Sequence, residues 1–150
     1  MTTRPRYLRD LVVTYRPNPD RVSVYPGAVT TSERAASILI PLLGTEVQEV
    51  LAVLYLDAKS QVLAYREIHR GTLDHVQVHP RDVYTPALLI SAHSIILAHN
   101  HPSGDPTPSP DDIAMTRRMI DAGTLLDVHL MDHFIIGDTR YLSFKETGRL

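Results

Sequence analysis

The chain has 150 residues, enough for one domain, and its 43% of hydrophobic residues is typical of a folded protein with an ordinary core. Fifteen lysines and arginines face seventeen acidic residues, and the formal net charge of −2 does not indicate a large basic face for duplex DNA. The absence of cysteine excludes disulfides, thiol nucleophiles and cysteine-ligated zinc, which leaves histidines and carboxylates as the available metal ligands.

Signals for a membrane or for export are not found in the sequence. No apolar run approaches the roughly 20 residues of a membrane-spanning helix, and the segment MTTRPRYLRD lacks the apolar middle of a signal peptide. The arginines near the N-terminus are interpreted as solvated charge, so a nucleic-acid partner stays open but is unsupported by charge. We therefore expect a cytoplasmic protein with no membrane partner.

Residues 1–30 are predicted to be an N-terminal extension, and residues 31–150 a single domain. Within the extension, Leu11 to Tyr15 has the β-branched and aromatic composition of a strand. Proline-rich connectors follow this segment, so a short edge strand and then a loop are expected.

The first predicted elements of the domain are a helix and two strands. Ser32 precedes an alanine-rich apolar run and predicts a capped helix that ends near Gly44, with Pro41 close to its last turn. Two strand-like runs then occupy VQEVLAVLYLDAKSQVLAYREIH and join at residues 57–60. The first run is apolar almost throughout, which is typical of a central strand.

Alternating helices and strands fill the rest of the domain. The predicted elements are a helix over 80–93 that contains Pro86, a strand over 94–98, a helix over 109–122 and strands over 126–131 and 134–137. Helices interleaved with strands predict an α/β (α+β) fold, in which flanking helices pack on a single mixed β-sheet.

The segment richest in chemical side chains is LAHNHPSGDPTPSPDD, from Leu97 to Asp112. His99 and His101 are two positions apart, so in an extended segment both imidazoles lie on one side and Asn100 points to the other. Two histidines and one carboxylate can hold a zinc ion and leave a fourth position for water. Neighbouring histidines are also common as hydrogen-bonded residues without a metal.

Asp112 is the carboxylate best placed to complete such a site. Ser109 is a good N-cap and Pro110 suits the first helical position, which puts Asp112 at the third position of a helix. Prolines in the connection limit its flexibility, so less entropy is lost when the three side chains are held together. Ser109 and Asp112 also fit an ordinary capping arrangement without a metal.

The spacing of these residues resembles a known signature. The motif His-x-His-Pro at 99–102, followed after six residues by Ser109 and after two more by Asp112, resembles the JAMM motif of the JAB/MPN metalloprotease superfamily. Three flanking segments are similar to its RadC branch, namely RGTLD (70–74), VHPRDV (78–83) and DHFIIGD (132–138). The resemblance covers about residues 32–150. It implies the cytidine-deaminase-like JAB/MPN architecture, in a short stand-alone form without the helix-hairpin-helix module that precedes it in full-length RadC-type proteins.

The resemblance also implies a metal site. His99, His101 and Asp112 would hold Zn²⁺ together with a bound water, and the serine of the motif, Ser109, would help to stabilise the oxyanion. The implied activity is hydrolysis of an amide or isopeptide bond in a peptide or protein substrate, which the sequence does not identify.

A glutamate at the start of an early strand would act as the general base in this resemblance. Glu49 fits best because it stands directly before the apolar strand. Glu46 is the alternative, and Glu67 is less favoured. Glu49 also fits an exposed acid at a strand end, with no catalytic role.

Two other functions stay open at this point. One is a RadC-type accessory protein of DNA repair, recombination or mobile elements, and the other is a metal-bound interaction scaffold without turnover. Pairing into a homodimer is left open as well. Asp132 and His133 are interpreted either as support for the metal ligands or as a buried structural pair.

Overall fold

The computed structural model of the chain describes residues 10–19, 27–71 and 78–150. Its helices are α1 (Ser32–Leu43), α2 (Pro80–Leu89) and α3 (Pro110–Leu126). Its strands are β1 (Val50–Leu56), β2 (Val62–Arg70), β3 (Ser94–Asn100), β4 (His129–Gly137) and β5 (Arg140–Ser143). None of the helices in the described ranges has the length and apolar character needed to cross a membrane.

The five strands form one mixed sheet in the order β2-β1-β3-β4-β5. β1 is antiparallel to β2 and to β3, β3 is parallel to β4, and β5 returns antiparallel to β4. β1 and β3 are buried along their whole lengths, which agrees with their nearly continuous apolar sequences. The predicted α+β fold, with helices on a single mixed sheet, is therefore confirmed.

Helices cover both faces of the sheet, and the alternation of side chains along a strand decides which helix each residue faces. α1 packs on the face that carries Ala98, whereas α2 and α3 pack on the face that carries Leu97. By this alternation His99 lies on the side of α2 and α3, and Asn100 lies on the side of α1. The two neighbouring polar residues of the motif thus serve opposite faces of the sheet.

The N-terminal extension differs from the prediction. Residues 11–15 form no strand, and Leu11 and Val12 are 78% and 80% exposed. The predicted short edge strand is wrong, because the edges of the described sheet are β2 and β5. Strand propensity largely reflects how well a side chain packs on a half-buried sheet surface, and the side chains of Leu11 and Val12 are largely exposed instead.

Two helix boundaries also differ from the prediction. The N-cap of α1 is Thr31, whose side chain accepts a hydrogen bond from Arg34 N, and the predicted cap, Ser32, is the first helical residue. The helix predicted over 80–93 ends at Leu89, shortly before Ser91 takes a positive φ of 54°. Both differences are shifts at the ends of helices whose existence is correctly predicted.

The two strands predicted over 126–131 and 134–137 are a single strand, β4. α3 runs on to Leu126 and ends where Asp127 takes the left-handed conformation, so the strand begins later than predicted. The break in its apolar pattern coincides with a register shift at Met131. A bulge of this kind redirects side chains without ending a strand.

Candidate metal centre

The residues of the motif meet at one end of the sheet. His99 lies near the end of β3, and His101 directly follows the strand. Asp112 stands in the first turn of α3, and Glu49 directly precedes β1, which pairs with β3. Two strand ends and one helix N-terminus therefore supply all four side chains.

The two imidazoles and the carboxylate of Asp112 face one another. The Nε2 atoms of His99 and His101 are 3.0 Å apart. Asp112 Oδ1 lies 3.1 Å from His99 Nε2, and Asp112 Oδ2 lies 3.5 Å from His101 Nε2. Ligand atoms about 2.0–2.1 Å from a tetrahedral zinc ion are about 3.3 Å from one another. The structure thus brings together the three side chains predicted as metal ligands, at a spacing that suits one ion.

Glu49 adds a second carboxylate to the cluster. Its Oε1 lies 3.9 Å from His99 Nε2, and Glu49, His99 and His101 each offer a ligand atom within 4.8 Å of the others. This group could hold a metal ion. The side chain of Glu49 is 19% exposed and that of Asp112 is 7% exposed, so Glu49 is the carboxylate more open to solvent.

The other two glutamates considered for the general base bind an arginine. Nη2 of Arg70 donates hydrogen bonds to Glu46 at 3.2 Å and to Glu67 at 3.0 Å. These bonds raise the pKa of Arg70 above its usual range. The metal-type cluster found among the described residues contains Glu49 and neither of these two. The structure therefore favours Glu49 as the glutamate of the site.

His101 is oriented by the turn that follows it. Its Nδ1 lies 2.7 Å from the backbone oxygen of Asp105, which can only accept, so Nδ1 donates, and in the neutral ring the lone pair of Nε2 faces the cluster. Arg140 Nη2 donates to Gly104 O in the same turn at 2.7 Å. A Cβ on Gly137 would stand 2.4 Å from Gly104 O, so this close approach requires glycine. The turn behind His101 is thus held from two sides.

Asp112 is fixed by the N-terminus of α3. Its Oδ2 accepts a hydrogen bond from Ser109 N at 2.7 Å, and Ser109 Oγ accepts one from Asp112 N at 3.1 Å, which makes a reciprocal capping box. Ser109, predicted to stabilise an oxyanion, therefore lies beside the cluster as the helix cap. Its hydroxyl oxygen accepts in this arrangement, so the capping box does not use its hydroxyl hydrogen.

Opposite charges in the cluster stabilise one another. Burial opposes ionisation of Asp112, but its contacts with the imidazoles of His101 and His99 outweigh this effect and hold the pKa of Asp112 well below its usual range. The bond to Asp112 in turn raises the pKa of His101. Asp112 is therefore ionised at neutral pH and stabilises positive charge between the two rings, whether a proton or a metal cation carries it.

Asn100, between the two histidines, holds the segment that carries Glu49. It is only 2% exposed. Its Oδ1 accepts from Val50 N at 2.7 Å, and its Nδ2 donates to the backbone oxygens of Glu46 and Gln48 at 3.2 Å and 3.0 Å. These three bonds fix the approach to β1 relative to β3. The sequence alone indicated no role for Asn100. The feature that could have pointed to its structural role is a polar amide side chain within an otherwise apolar strand.

Asn100→Ala is expected to lower the free energy of unfolding by about 1–3 kcal/mol, because the buried backbone N–H of Val50 loses its hydrogen bond to Asn100 Oδ1. Chemical denaturation measures the loss. Ser94→Ala is the matched control. It removes a buried hydroxyl from the same strand, and this hydroxyl donates only to a weak acceptor, Met131 Sδ. The control should lose less than about 1 kcal/mol. Equal losses in the two variants would contradict the role given to Asn100.

Asp132 and His133 serve different parts of the structure. His133 is completely buried, with its ring 4.6 Å from that of Phe144 and its Nε2 2.9 Å from His99 Nδ1. Burial lowers the pKa of His133 well below its usual value, so the ring is neutral. Asp132 Oδ1 accepts from Lys145 N at 3.0 Å and ties down the C-terminal segment. Support for a metal ligand thus fits His133, and a structural role fits Asp132.

The fold agrees with the JAB/MPN architecture that the motif implies. The mixed sheet presents two histidines from one strand end to an aspartate anchored at a helix N-terminus. A family model described as "RadC-like JAB domain" matches residues 29–149. The chain therefore belongs to the RadC-like JAB family.

Curated relatives are similar over the same region. The chain is 49% identical over 102 residues to a UPF0758 protein of Xanthomonas axonopodis pv. citri, which covers 68% of the chain and 45% of that protein. It is 50% identical over 99 residues to a UPF0758 protein of Clostridium perfringens, covering 66% and 44% of the two chains. It is 44% identical over 112 residues to a UPF0758 protein of Methanosarcina acetivorans, and this match covers 75% of the chain and 49% of that protein. The chain thus spans about half the length of these relatives, and their name states no reaction.

Proposed function

We propose that the chain is a zinc-dependent hydrolase of the JAMM type that cleaves an amide or isopeptide bond in a peptide or protein. One observation carries the proposal. The Nε2 atoms of His99 and His101 and the carboxylate of Asp112 approach one another at 3.0, 3.1 and 3.5 Å, and the carboxylate of Glu49 lies beside them.

The chemistry of the donor set supports zinc. Two imidazole nitrogens and one carboxylate oxygen are ligands of the kind found in catalytic zinc sites that keep one position open. His101 donates from Nδ1 to Asp105 O, so it presents the lone pair of Nε2, and ionised Asp112 presents its oxygens. Acceptor atoms that face one another repel unless positive charge lies between them. The cluster is therefore suited to a cation.

Asp112 is assigned as the third ligand and Glu49 as the general base. Asp112 Oδ1 lies 3.1 Å from His99 Nε2, whereas Glu49 Oε1 lies 3.9 Å from it. The capping box holds Asp112 in place, whereas Glu49 is more exposed and can meet a water molecule. The two carboxylates thus suit different tasks.

In the proposed reaction these side chains move protons and stabilise charge. Bound zinc would supply a Lewis acid and lower the pKa of a water molecule toward about 7. Glu49 accepts the proton of the attacking water and delivers it to the leaving nitrogen. The hydroxyl of Ser109 donates a hydrogen bond to the developing oxyanion, which its acceptor role in the capping box leaves it able to do.

A cavity beside the cluster supports access by a substrate. Its volume is about 460 Å³, and its lining includes His101, Ser103, Val47 and Asp138. The cavity lies between the segment that precedes β1 and the turn that follows β3.

Metal removal tests the proposed activity. We expect the zinc-loaded chain to cleave members of a panel of fluorogenic peptides and isopeptide-linked lysine derivatives, and we expect chelation to reduce cleavage to background. One equivalent of Zn²⁺ should restore the rate, because the ligand set suits a single ion. Cleavage that persists after chelation would contradict the proposal. Zinc binding without cleavage of any panel member would contradict the hydrolase and favour the metal-bound scaffold.

A further inference from the structure

Hydrogen bonds lead from His99 into the protein, away from the other metal ligands. His99 Nδ1 lies 2.9 Å from His133 Nε2, and His133 Nδ1 lies 2.6 Å from Thr116 Oγ1. Thr116 Oγ1 donates to the backbone oxygen of Asp112 at 2.7 Å. His99 and His133 are 0% exposed and Thr116 is 1% exposed. Protein groups rather than solvent therefore decide where the protons lie.

One assignment of protons satisfies all three bonds. A backbone oxygen can only accept, so the single hydroxyl hydrogen of Thr116 is committed to Asp112. His133 Nδ1 must then carry a proton and donate to Thr116. A neutral imidazole has one donor and one acceptor, so His133 Nε2 accepts from His99 Nδ1. With its proton on Nδ1, His99 presents the lone pair of Nε2 to the ligand cluster.

We propose that His133 and Thr116 are positioning residues that fix His99 in the tautomer and ring orientation required for metal binding, an inference that rests on the proposed metal site. Ligating histidines are usually oriented by a hydrogen bond at their other nitrogen. In this chain the orienting group is a second neutral imidazole, and a hydroxyl rather than a carboxylate sets its tautomer.

The same bonds connect the elements that carry two of the ligands. Thr116 lies one turn after Asp112 on α3, and His133 lies on β4, which is parallel to the strand that carries His99. A change at Thr116 can therefore alter His99, on another element, through His133. Metal affinity is the property that reports this effect.

Thr124, a second threonine on α3, has an ordinary structural role, so its substitution should leave Zn²⁺ affinity unchanged. Helical threonines often bond back to the carbonyl four residues earlier, and Thr124 Oγ1 does so with Ile120 O at 2.9 Å. Thr116 differs because its oxygen also lies 2.6 Å from Nδ1 of a buried imidazole, from which it accepts in the proton assignment above. Thr124→Val is therefore a matched control for Thr116→Val.

Histidine NMR and zinc titration together test the proposal. Long-range ¹H–¹⁵N spectra of the labelled chain, metal-free and with one equivalent of Zn²⁺, identify the protonated nitrogen of His133, with His133→Gln as the assignment variant. We expect the proton on Nδ1 in both states. In competition with a chromophoric chelator, Thr116→Val should weaken Zn²⁺ binding about 10- to 100-fold, whereas Thr116→Ser and Thr124→Val should stay within about threefold of the parent chain.

Three results would overturn the inference. The first is a proton on Nε2 of His133, and the second is parental zinc affinity in Thr116→Val. The third is equal weakening by Thr116→Val and Thr116→Ser, since serine keeps the hydroxyl and the effect would then come from packing. If the parent chain binds no zinc, the metal proposal fails, but the tautomer of His133 in the metal-free protein still tests the proton assignment separately.

Discussion

Glu49→Gln is expected to lower peptide hydrolysis by about 10²- to 10⁴-fold while zinc stays bound, since this is the usual contribution of a general base. Glutamine has nearly the same shape as glutamate but cannot take a proton from the attacking water. The carboxylate of Glu49 lies beside the imidazole pair, 3.9 Å from His99 Nε2. The measurement is the cleavage rate of a panel peptide together with the zinc content of the same sample.

Glu46→Gln is the matched control for this prediction. Glu46 belongs to the same short segment, but Arg70 binds its carboxylate, so its loss should leave cleavage unchanged. A large loss in Glu46→Gln with normal cleavage in Glu49→Gln would show that the base is assigned to the wrong residue. Loss of zinc from Glu49→Gln would instead make Glu49 a ligand.

Asp112→Asn is expected to weaken Zn²⁺ binding by at least about 100-fold, beyond the 10- to 100-fold effect of residues that only orient a ligand. A neutral amide is a poor zinc ligand and no longer balances the charge of the ion. The substitution keeps the size of the side chain and its carbonyl oxygen for the capping bond from Ser109 N. Competition with a chromophoric chelator measures the affinity, and circular dichroism checks the fold.

Asp111→Asn is the control for Asp112→Asn. The two acids are neighbours in the first turn of α3, but Asp111 is exposed and Asp112 is buried. Equal weakening in both variants would indicate a general effect of negative charge at the helix N-terminus rather than ligation. Unchanged affinity in Asp112→Asn would remove Asp112 from the ligand set and leave Glu49 as the carboxylate that accompanies the two histidines.

The meeting of the proposed ligand side chains was predictable because local geometry determines most of it. Two histidines separated by one residue in a strand lie on one side, and Ser109 with Pro110 fixes the start of α3 and hence the place of Asp112. The apolar runs of β1 and β3 likewise identify them as central strands. Each of these predictions needs only a few adjacent residues.

Contacts between distant residues account for what the sequence did not reveal. Arg70 binds Glu46 from 24 residues away, and this pairing is what separates Glu46 from Glu49. Asn100 reaches Val50 across 50 residues, and His133 reaches His99 across 34. Local pattern carries no information about such partners.

The misplaced strand at residues 11–15 has a related physical cause. Its composition suits a strand, but strand propensity also depends on a surface against which side chains are buried, and Leu11 and Val12 are largely exposed. For β4 the sequence predicted a break in the strand that does not exist. A bulge at Met131 interrupts the apolar pattern, but the strand is continuous. The roles of Glu49 and Ser109 in catalysis stay predictions that the variants above address.

The central claim, a metal ion held by His99, His101 and Asp112, is tested most directly by crystals of the zinc-loaded chain measured at the zinc absorption edge. The account predicts one anomalous peak about 2.0–2.2 Å from the Nε2 atoms of both histidines and from an oxygen of Asp112. Zinc found elsewhere on the chain, or no peak between these three side chains, would contradict it.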